Sequence, residues 1–352
     1  MIKDSIKKLE ESQNLDHNEM FQCMHEIMSA NADDASIASF LLALKMKGES
    51  VEELKAMLDV MNEFSIKIKP SVSGRLIDTC GTGGDKINTF NISTAAAFVA
   101  SAAGVNVAKH GNRSVSGVCG SADVLEYFGY DLNTEPDRAK ECIEKLGIGF
   151  MFAPKFHPAM KNVANARKEL GVRTAFNILG PLSNPAGVNA QVVGVYDLNL
   201  IDKVAQLLKN AGMQETMVFY AKDGLDELSN TCANHIAWLR NGNISEFDLN
   251  PRSFKISSAE PADLSASSKD ESALQMFKVL TGTADEKRLG VVLLNAAAAL
   301  IVGNKAASFE DAILSARKAV ESGSAYKKLQ ALIKSCGNIS KLEGLEQKWQ
   351  NS

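Results

Sequence analysis

The sequence has few of the features that mark secreted, membrane-spanning or metal-cluster proteins. Its six cysteines form no CxxC pair and are irregularly spaced, so we expect scattered reduced thiols rather than a disulfide framework or a zinc site. No apolar run reaches the ~18 residues of a transmembrane helix. The charged start MIKDSIKKLEESQ lacks the apolar stretch of a secretory signal. These absences favour a cytoplasmic chain with no membrane partner.

A strong excess of positive charge is also lacking. The formal net charge is −4, so nothing attracts the whole chain to nucleic acid or to an anionic membrane, and any affinity for anions must be local. The chain has 352 residues, of which 45% are hydrophobic. That is enough for roughly two domains with a buried core.

Two patterns of secondary structure meet near the linker Lys69-Pro70-Ser71. Before it only helices are predicted, and capping boxes that open at Asp16 and Ser50 begin two of them. The many methionines of these helices suit a helical core and also an association surface. From 75 to 330 strands and helices alternate, which predicts an α/β domain with a largely parallel sheet. The last ~15 residues are expected to form a loosely held tail.

Within the α/β region the expected elements are short and closely spaced. Between 153 and 190, Pro154, Pro158, Pro181 and Pro185 predict an irregular hinge or site wall. The strands are placed at 75–78, 105–108, 148–152, 192–196, 217–220, 236–239 and 244–247, and the helices at 93–103, 121–128, 136–146, 161–170, 200–211, 271–281, 285–302 and 308–321.

A glycine-rich loop follows the first predicted strand. It reads GTGGD, Gly81 to Asp85, and glycines let backbone N–H groups approach an anion closely. No GK[ST] follows, so the loop is not a Walker A loop, and it is not GxGxxG either. An ordinary strand-to-helix turn needs fewer glycines and no aspartate. We therefore predict a phosphate site.

Two further segments carry groups that bind phosphate. NIST, Asn91 to Thr94, stands where the next helix begins, and a helix N-terminus attracts anions. Taken alone, Ser93 or Thr94 also fits a simple N-cap. KHGNR, Lys109 to Arg113, follows the second predicted strand, and loops at the carboxyl ends of parallel strands share one crevice. Its alternative is an ordinary basic surface loop.

Three charged residues suggest a metal and a second substrate. Asp226 and Glu227 lie in DGLDE, after the strand predicted at 217–220. Such a pair is often only an acidic surface, but beside a phosphate site it suits Mg²⁺, which one or two carboxylates hold together with phosphate. Arg167 is either a solvated helical arginine or a bidentate partner for a substrate carboxylate.

Taken in order, the motifs resemble those of the anthranilate phosphoribosyltransferase family of tryptophan biosynthesis, over about residues 10–335. They are GTGGD, NxST, KHGNR, GSADVLE (120–126), RTAFNILGPLSNP (173–185) and GLDELS (224–229).

The resemblance implies a fold in two parts. One is a small all-helical N-terminal domain, residues 1–70, joined by part of the 160–190 hinge segment. The other is a larger α/β domain, residues 71–352, with a mostly parallel central sheet like that of pyrimidine nucleoside phosphorylases. The resemblance further implies a homodimer formed through the helical domain.

The resemblance also implies the substrates, the metal and the site residues. The substrates are 5-phosphoribosyl 1-pyrophosphate (PRPP) and anthranilate, and the cofactor is Mg²⁺, with two ions per monomer. Metal positions match Ser93, Asp226 and Glu227. Anthranilate positions match Gly81, Asn112, Arg167, His110 and Pro181, and His157 is a weaker match. PRPP positions match Gly81, Gly84, Asp85, Thr89, Asn91, Ile92, Ser93, Thr94, Lys109, His110, Gly111, Asn112, Arg113, Ser114, Val115, Ser116, Gly117 and Ser121.

The implied reaction needs neither a nucleophilic side chain nor a strong base. The amine of anthranilate attacks C1 of the ribose as pyrophosphate leaves, and an aromatic amine is already neutral near neutral pH. Catalysis is then mostly positioning and charge neutralisation, with Lys109 stabilising the leaving group.

Two other functions remain as alternatives. A pyrimidine nucleoside phosphorylase on the same fold would carry a KHSTGG-like loop in place of KHGNR. A non-catalytic relative that binds nucleic acid would not need to keep GTGGD, Asp226 and Glu227, and a net charge of −4 disfavours it.

Overall fold

The computed structural model of the protein describes residues 1–84, 87–114 and 117–350. None of the helices within those ranges combines the length and the apolar character that crossing a bilayer requires.

The chain begins with helices only, as the sequence pattern predicts. Both expected capping boxes form. The side chain of Asp16 accepts from the backbone N–H of Glu19, and that of Ser50 from the backbone N–H of Glu53. The side chain of each glutamate in turn accepts from the backbone N–H of its capping residue. The third helix is capped by the side chain of Asp33, which accepts from Ser36 N. The four helices are α1 (Ile2–Glu10), α2 (His17–Met28), α3 (Asp34–Lys47) and α4 (Val51–Glu63).

Seven strands form one sheet in the order β3-β2-β1-β4-β5-β6-β7. The first five in that order pair in parallel, and β6 and β7 add an antiparallel hairpin whose turn, Asn241-Gly242, has positive φ at both residues. The mostly parallel sheet is thereby confirmed. The strands are β1 (Leu76–Gly81), β2 (Asn106–Gly111), β3 (Ile148–Phe152), β4 (Ala190–Gly194), β5 (Glu215–Ala221), β6 (Asn234–Arg240) and β7 (Asn243–Leu249).

The predicted ends of β1 and β2 were wrong, because both strands run three residues further. Their last residues stay paired: Gly81 lies opposite Gly194 of β4, and Gly111 opposite Phe152 of β3. Polar residues such as Lys109 suggested a loop, but Lys109 is paired with Phe150 of β3 and therefore belongs to the strand.

Helices cover the sheet and close the chain. The proline-rich segment is more regular than predicted, since Pro181 lies inside a helix near its C-terminal end. The helices are α5 (Ile92–Ala102), α6 (Ser121–Tyr127), α7 (Pro136–Leu146), α8 (Ala153–Phe156), α9 (Lys161–Leu170), α10 (Ala175–Leu182), α11 (Ile201–Asn210), α12 (Pro261–Leu264), α13 (Lys269–Leu280), α14 (Glu286–Val302), α15 (Phe309–Glu321), α16 (Ser324–Cys336) and α17 (Ile339–Gln350).

The expectation of a loose tail was wrong. Leu342 of α17 is fully buried, and the Trp349 ring lies 5.0 Å from that of Phe277 and stacks on Tyr127. The apolar residues of α17 pack against the body, so the helix is held by tertiary contacts.

Two large cores lie on the two faces of the sheet. One gathers around α5 and the buried helix α14. Inside α14 the side chain of Asn295 accepts from Leu228 N at 3.0 Å and donates to Leu228 O at 2.8 Å. The other core joins the N-terminal helices to α9, α10, α11 and the second face. The helical part therefore packs directly on the sheet.

Candidate active site

The predicted motifs meet at the carboxyl ends of the parallel strands. β1 lies between β2 and β4, so the chain leaves the sheet in opposite directions on its two sides, and this switch in strand order opens a crevice. Gly81, Gly111 and Gly194 end the three strands.

The first glycine loop is fitted around Asp226. A Cβ atom at Gly81 would lie 2.0 Å from Asp226 Oδ2, and one at Gly194 would lie 1.8 Å from the Asp226 carbonyl oxygen. Gly83 N donates to Asp226 Oδ2 at 2.6 Å. The close approach of the two segments requires glycine at both strand ends. The structure thus brings the GTGGD loop and the acidic pair into direct contact.

The acidic pair carries charge that the protein leaves poorly compensated. Asp226 is 9% exposed and Glu227 is 8% exposed. Desolvation raises the pKa of Asp226, and desolvation together with the nearby Asp226 charge raises the pKa of Glu227 to about 8. Ser93 N donates to Glu227 Oε1 at 3.1 Å. Within the described ranges neither carboxylate is in a salt bridge, so a bound cation would offset the cost of burial.

Magnesium suits this donor set. In the part of the chain that the structure describes, no group of three or more His, Cys, Asp or Glu side chains gathers into a metal site. Two carboxylates are nevertheless adjacent, and Ser93, whose backbone N–H donates to Glu227, carries a hydroxyl. Mg²⁺ commonly takes one or two carboxylates and leaves its other positions to phosphate and water. The residues present fit that arrangement.

The helix that begins at the crevice is α5, but its cap is neither Ser93 nor Thr94. Asn91 holds the cap position without a side-chain capping bond. Its amide instead donates to Cys119 O at 3.0 Å and accepts from Ser272 Oγ at 2.8 Å. Asn91 therefore ties the start of α5 to the second glycine-rich segment. The positive end of the helix lies next to Glu227.

Lys109 is a buried cation of β2 rather than a loop residue. It is 3% exposed, and its Nζ donates to Thr79 O at 2.7 Å. Asp78 lies nearby and accepts from Asn184 Nδ2 at 2.7 Å. Desolvation raises the pKa of Asp78 to about 6, against the opposing charge of Lys109. Lys109 also lowers the pKa of Glu227, so its charge acts on the acidic pair.

Arg113 of the second loop already has carboxylate partners. Its guanidinium is 3.0 Å from Asp123 Oδ1 and 2.7 Å from Glu126 Oε2. The N–H groups of Ser114 and Gly120 both donate to Asp123 Oδ2 at 3.0 Å. These bonds stabilise the loop through Arg113. To contact phosphate as predicted, Arg113 would have to keep both ion pairs and add a third partner, or give one of them up.

The remaining loop positions of the predicted PRPP set are mostly close neighbours. Ser114 Oγ donates to Gly117 O at 2.7 Å, and Ser121 Oγ to Asn112 O at 3.4 Å. Thr89 forms an isolated bridge with Ser265. Three predicted positions, Asp85, Val115 and Ser116, lie outside the described residues, while Ile92 and Thr94 are buried in the first turn of α5.

Two histidines form an uncharged wall beside the crevice. The rings of His110 and His157 are 5.0 Å apart, and the two residues are 8% and 5% exposed. Among the described residues the Nε2 atom of each has no hydrogen-bond partner. Desolvation lowers the pKa of His110 to about 3 and that of His157 to about 4. The Pro181 carbonyl accepts from Gln191 Nε2 at 2.7 Å.

Arg167 is a half-buried cation without a carboxylate partner. Its guanidinium lies 5.3 Å from the centre of the Phe176 ring, and desolvation lowers its pKa. Among the described residues it is in no salt bridge, and no hydrogen bond joins it to Gly81 or Asn112. A planar cation over an aromatic ring, with its donors unused, suits an aromatic carboxylate.

Sequence reasoning missed Arg173 as a site residue. It donates to Gly84 O, lies 3.9 Å from the centre of the Tyr196 ring, and lowers the pKa of Asp226. A Cβ atom at Gly84, where φ is +85°, would overlap the guanidinium. The sequence did contain a hint, because Arg173 is the first residue of the RTAFNILGPLSNP motif. Its contact with the glycine loop, however, depends on the fold.

Known proteins match the chain over nearly its whole length. A glycosyl transferase family α/β domain matches residues 73–326, and a glycosyl transferase family helical bundle domain matches residues 3–65. The anthranilate phosphoribosyltransferase of Nitrosopumilus maritimus is 46% identical over 343 residues, which cover 97% of this chain and 99% of that protein.

Solved structures agree. The anthranilate phosphoribosyltransferase of Thermus thermophilus superimposes with a TM-score of 0.89 at 36% identity, covering 95% of this chain and 99% of that one. The Saccharomyces cerevisiae enzyme, solved in complex with PRPP and Mg, has a TM-score of 0.84 at 27% identity, covering 95% and 97%. It has also been solved with 4-fluoroanthranilate. A helical domain beside a mostly parallel α/β domain is thus confirmed.

Proposed function

The chain belongs to the anthranilate phosphoribosyltransferase family, and from this we infer that it transfers the phosphoribosyl group of PRPP to the amine of anthranilate. The products are N-(5-phosphoribosyl)anthranilate and pyrophosphate, and the reaction is a step of tryptophan biosynthesis. The relatives favour this function over a nucleoside phosphorylase or a nucleic-acid-binding protein. The observation that carries it is the buried pair Asp226–Glu227, held against the glycine loop and the first turn of α5.

The pyrophosphate of PRPP is proposed to lie over the GTGGD loop and the start of α5. Gly83 and Gly84 have φ values of +72° and +85°, which turn the backbone in a way that glycine tolerates. The helix N-terminus and Lys109 add positive charge. Arg173 holds Gly84 from outside. The other PRPP positions matched by the family motifs, including Asp85, Val115 and Ser116, are part of the same proposal.

The cofactor is Mg²⁺, and we propose two ions per monomer. Asp226, Glu227 and the Ser93 hydroxyl would hold the metal, and the bound metal would neutralise charge on the leaving pyrophosphate. The raised pKa values of the two carboxyl groups support the assignment, because burial disfavours their charged forms more than Lys109 and Arg173 favour them, and a bound cation would favour the charged forms further. The Mg-bound yeast relative supports it as well.

Anthranilate is proposed to bind on the side of the ribose C1 atom that faces away from the pyrophosphate. Arg167 would hold its carboxylate, with Gly81 and Asn112 near the reacting amine, and the neutral rings of His110 and His157 with Pro181 would line the pocket. The absence of charge on both histidines supports an aromatic acceptor. The complex of the yeast relative with 4-fluoroanthranilate agrees with this.

In the reaction the amine lone pair forms the N–C1 bond as the bond from C1 to pyrophosphate oxygen breaks. The electron pair leaves with pyrophosphate, and the new ammonium nitrogen then loses one proton. Lys109 and the N-terminus of α5 stabilise the departing charge. Binding both substrates in one crevice brings the amine within reach of C1 and removes much of the entropic cost.

We also propose that the protein is a cytoplasmic homodimer formed through residues 1–70. Leu42 and Met46 of α3 are 41% and 79% exposed, and such side chains suit a contact surface. All six cysteines are free thiols, in keeping with a reducing compartment. Light scattering that gives the mass of one chain at micromolar concentration would contradict the dimer.

The function is tested by mixing the protein with Mg²⁺, PRPP and anthranilate and following the loss of anthranilate fluorescence. The expected loss requires all three components and is matched by release of pyrophosphate. Excess chelator should stop it, and added Mg²⁺ should restore it. No loss of fluorescence, under conditions where a known enzyme of this family is active, would reject the proposal.

A further inference from the structure

Two buried cysteines that are far apart in sequence lie side by side. Cys142 Sγ and Cys336 Sγ are 3.2 Å apart, about 1 Å more than the ~2.05 Å of an S–S bond. Cys142 is on α7 and 2% exposed, and Cys336 ends α16 and is 6% exposed. The other four cysteines have no such sulfur neighbour among the described residues. The sequence predicted scattered thiols, and for this pair the prediction was wrong.

Of the two thiols, Cys336 borders an open pocket, which Cys142 does not line. Cys336 lines an open pocket of about 720 Å³, together with Arg138, Ser335 and Gly337. Arg138 Nε donates to Ser335 O at 3.0 Å, which fixes the guanidinium next to the end of α16. Arg138 precedes Cys142 by one helical turn, so both face the same side of α7.

The pair is also distinct in its acidity. The pKa of Cys142 is lowered to about 7, because the Cys142 thiolate is hydrogen-bonded with Cys336 and because Arg138 adds positive charge. The pKa of Cys336 is raised, since it keeps the shared proton. Desolvation raises the pKa of the other four thiols. Only a thiolate is readily oxidised, so this pair is the reactive one.

We propose that Cys142 and Cys336 are a redox-modifiable site that a hydroperoxide converts reversibly to a disulfide. The thiolate sulfur attacks one peroxide oxygen, the O–O bond breaks, and hydroxide leaves, which gives a sulfenic acid. The second thiol then attacks that sulfur and expels water. Two thiols and one H₂O₂ thus give one disulfide and two waters, and the two electrons lost by the sulfurs reduce the peroxide.

The bond would fasten the C-terminal helices to the body. The two cysteines are 194 positions apart in sequence, and a crosslink over so long a loop restricts the unfolded chain strongly. α17 follows Cys336 directly, with Gly337 bridged to Tyr130. Oxidation is therefore expected to protect α16 and α17 from local opening.

The native protein is treated with H₂O₂, and catalase removes the remaining peroxide. The protein is then denatured in the presence of N-ethylmaleimide, which alkylates free thiols, and its peptides are mapped by mass spectrometry. The expected result is a linked pair of peptides containing Cys142 and Cys336, with four alkylated thiols, the six cysteines less the linked two. Treatment of the oxidised protein with dithiothreitol should restore all six alkylated thiols. Six alkylated thiols after peroxide treatment, or a link between other cysteines, would overturn the proposal.

Variants separate the pair from the other thiols. C142S and C336S should both lose the link, and only C336S, which keeps Cys142, should leave a sulfenic acid that dimedone traps. C23S, which removes a buried thiol of the helical part, should keep the link. A second measurement uses the wild-type protein alone: oxidation should raise its unfolding temperature by about 5 °C or more, and dithiothreitol should reverse the shift. A shift that also occurs in C142S would count against the assigned pair.

Discussion

Two acidic pairs lie around the same crevice: Asp123 with Glu126, and Asp226 with Glu227. Their negative charge is compensated in opposite ways. Asp123 accepts two backbone N–H groups and pairs with Arg113 and Lys269. Desolvation would raise its pKa, but these donors outweigh it and lower the pKa to about 2. Glu227 has no ion-pair partner among the described residues, and its pKa is about 8.

The difference separates charge that supports the fold from charge that is available to a ligand. Asp123 joins the second loop, α6 and α13, and its negative charge is balanced within the chain. Glu227 and Asp226 are buried at a cost that their protein neighbours offset only in part, as the raised pKa values of both groups show. The arginines divide in the same manner, because Arg113 is paired while Arg167 is not. Changing each class should affect a different property.

The largest effect is expected for Glu227→Gln. The amide keeps the shape but removes a metal-binding charge, so kcat/KM should fall about 1000-fold, or about 4 kcal/mol. The unfolding temperature should stay the same or rise, since an uncompensated buried charge is lost. Initial rates and thermal unfolding measure the two effects. A variant that keeps a tenth of the wild-type activity, or that unfolds much earlier, would place Glu227 in the supporting class.

A smaller loss is expected for Arg167→Ala. Without the guanidinium the acceptor carboxylate has no bidentate partner, so the KM for anthranilate should rise about 30-fold, or about 2 kcal/mol. The KM for PRPP should change little. Steady-state kinetics with each substrate varied in turn gives both values, and Arg167→Lys serves as the matched control that keeps the charge. Equal increases in the two KM values would remove Arg167 from the acceptor site.

Asp123→Asn should show the reverse pattern. Arg113 and Lys269 lose their shared partner, and because both are about half exposed to solvent we expect a loss of about 2 kcal/mol in unfolding free energy. Urea unfolding measures it. Activity per folded molecule should fall far less than in the Glu227 variant. Unchanged stability together with a large loss of activity would erase the distinction between the two pairs.

The smallest effect concerns the histidine wall and depends on pH. The folded-state pKa of His157 is about 4, below its ordinary value of 6.5. The unfolded chain therefore binds the proton more readily, and the stability that this group contributes is present above pH 6.5 and is lost as the pH falls toward 4.

His157→Gln should remove that component. Between pH 6 and pH 5 the wild-type protein should lose about 1 kcal/mol more unfolding free energy than the variant. Urea unfolding at each pH provides the comparison, with His25→Gln, an exposed histidine of α2, as the control that should behave like the wild-type protein. Equal slopes in all three proteins would show that His157 is accessible to protons in the folded state.

Much of this organisation could be predicted from the sequence, and the reason differs from residue to residue. Helix caps such as Asp16 and Ser50 depend on local spacing, so they were predicted correctly. The ends of β1 and β2 depend on pairing with β3 and β4, which no local pattern carries. The order and glycine content of the motifs were enough to name Asp226 and Glu227 as candidate metal ligands.

The state of each charge could not be predicted in this way. Arg113 and Arg167 are equally plausible anion ligands in the sequence, yet one is held by Asp123 and Glu126 and the other has no such partner among the described residues. Arg173 and Gly84 come together only through the fold. In each instance the deciding neighbour is distant in sequence.

The amide of Asn295 has a consequence for binding that its place in α14 does not suggest. By holding both backbone groups of Leu228, it fixes the segment immediately after Asp226 and Glu227 before any ligand arrives. The conformational entropy of that segment is therefore lost during folding and not during association, and a preorganised site binds its ligands more tightly. An uncharged side chain within an apolar helix would thus set part of the affinity for the metal proposed at Asp226 and Glu227, without touching it.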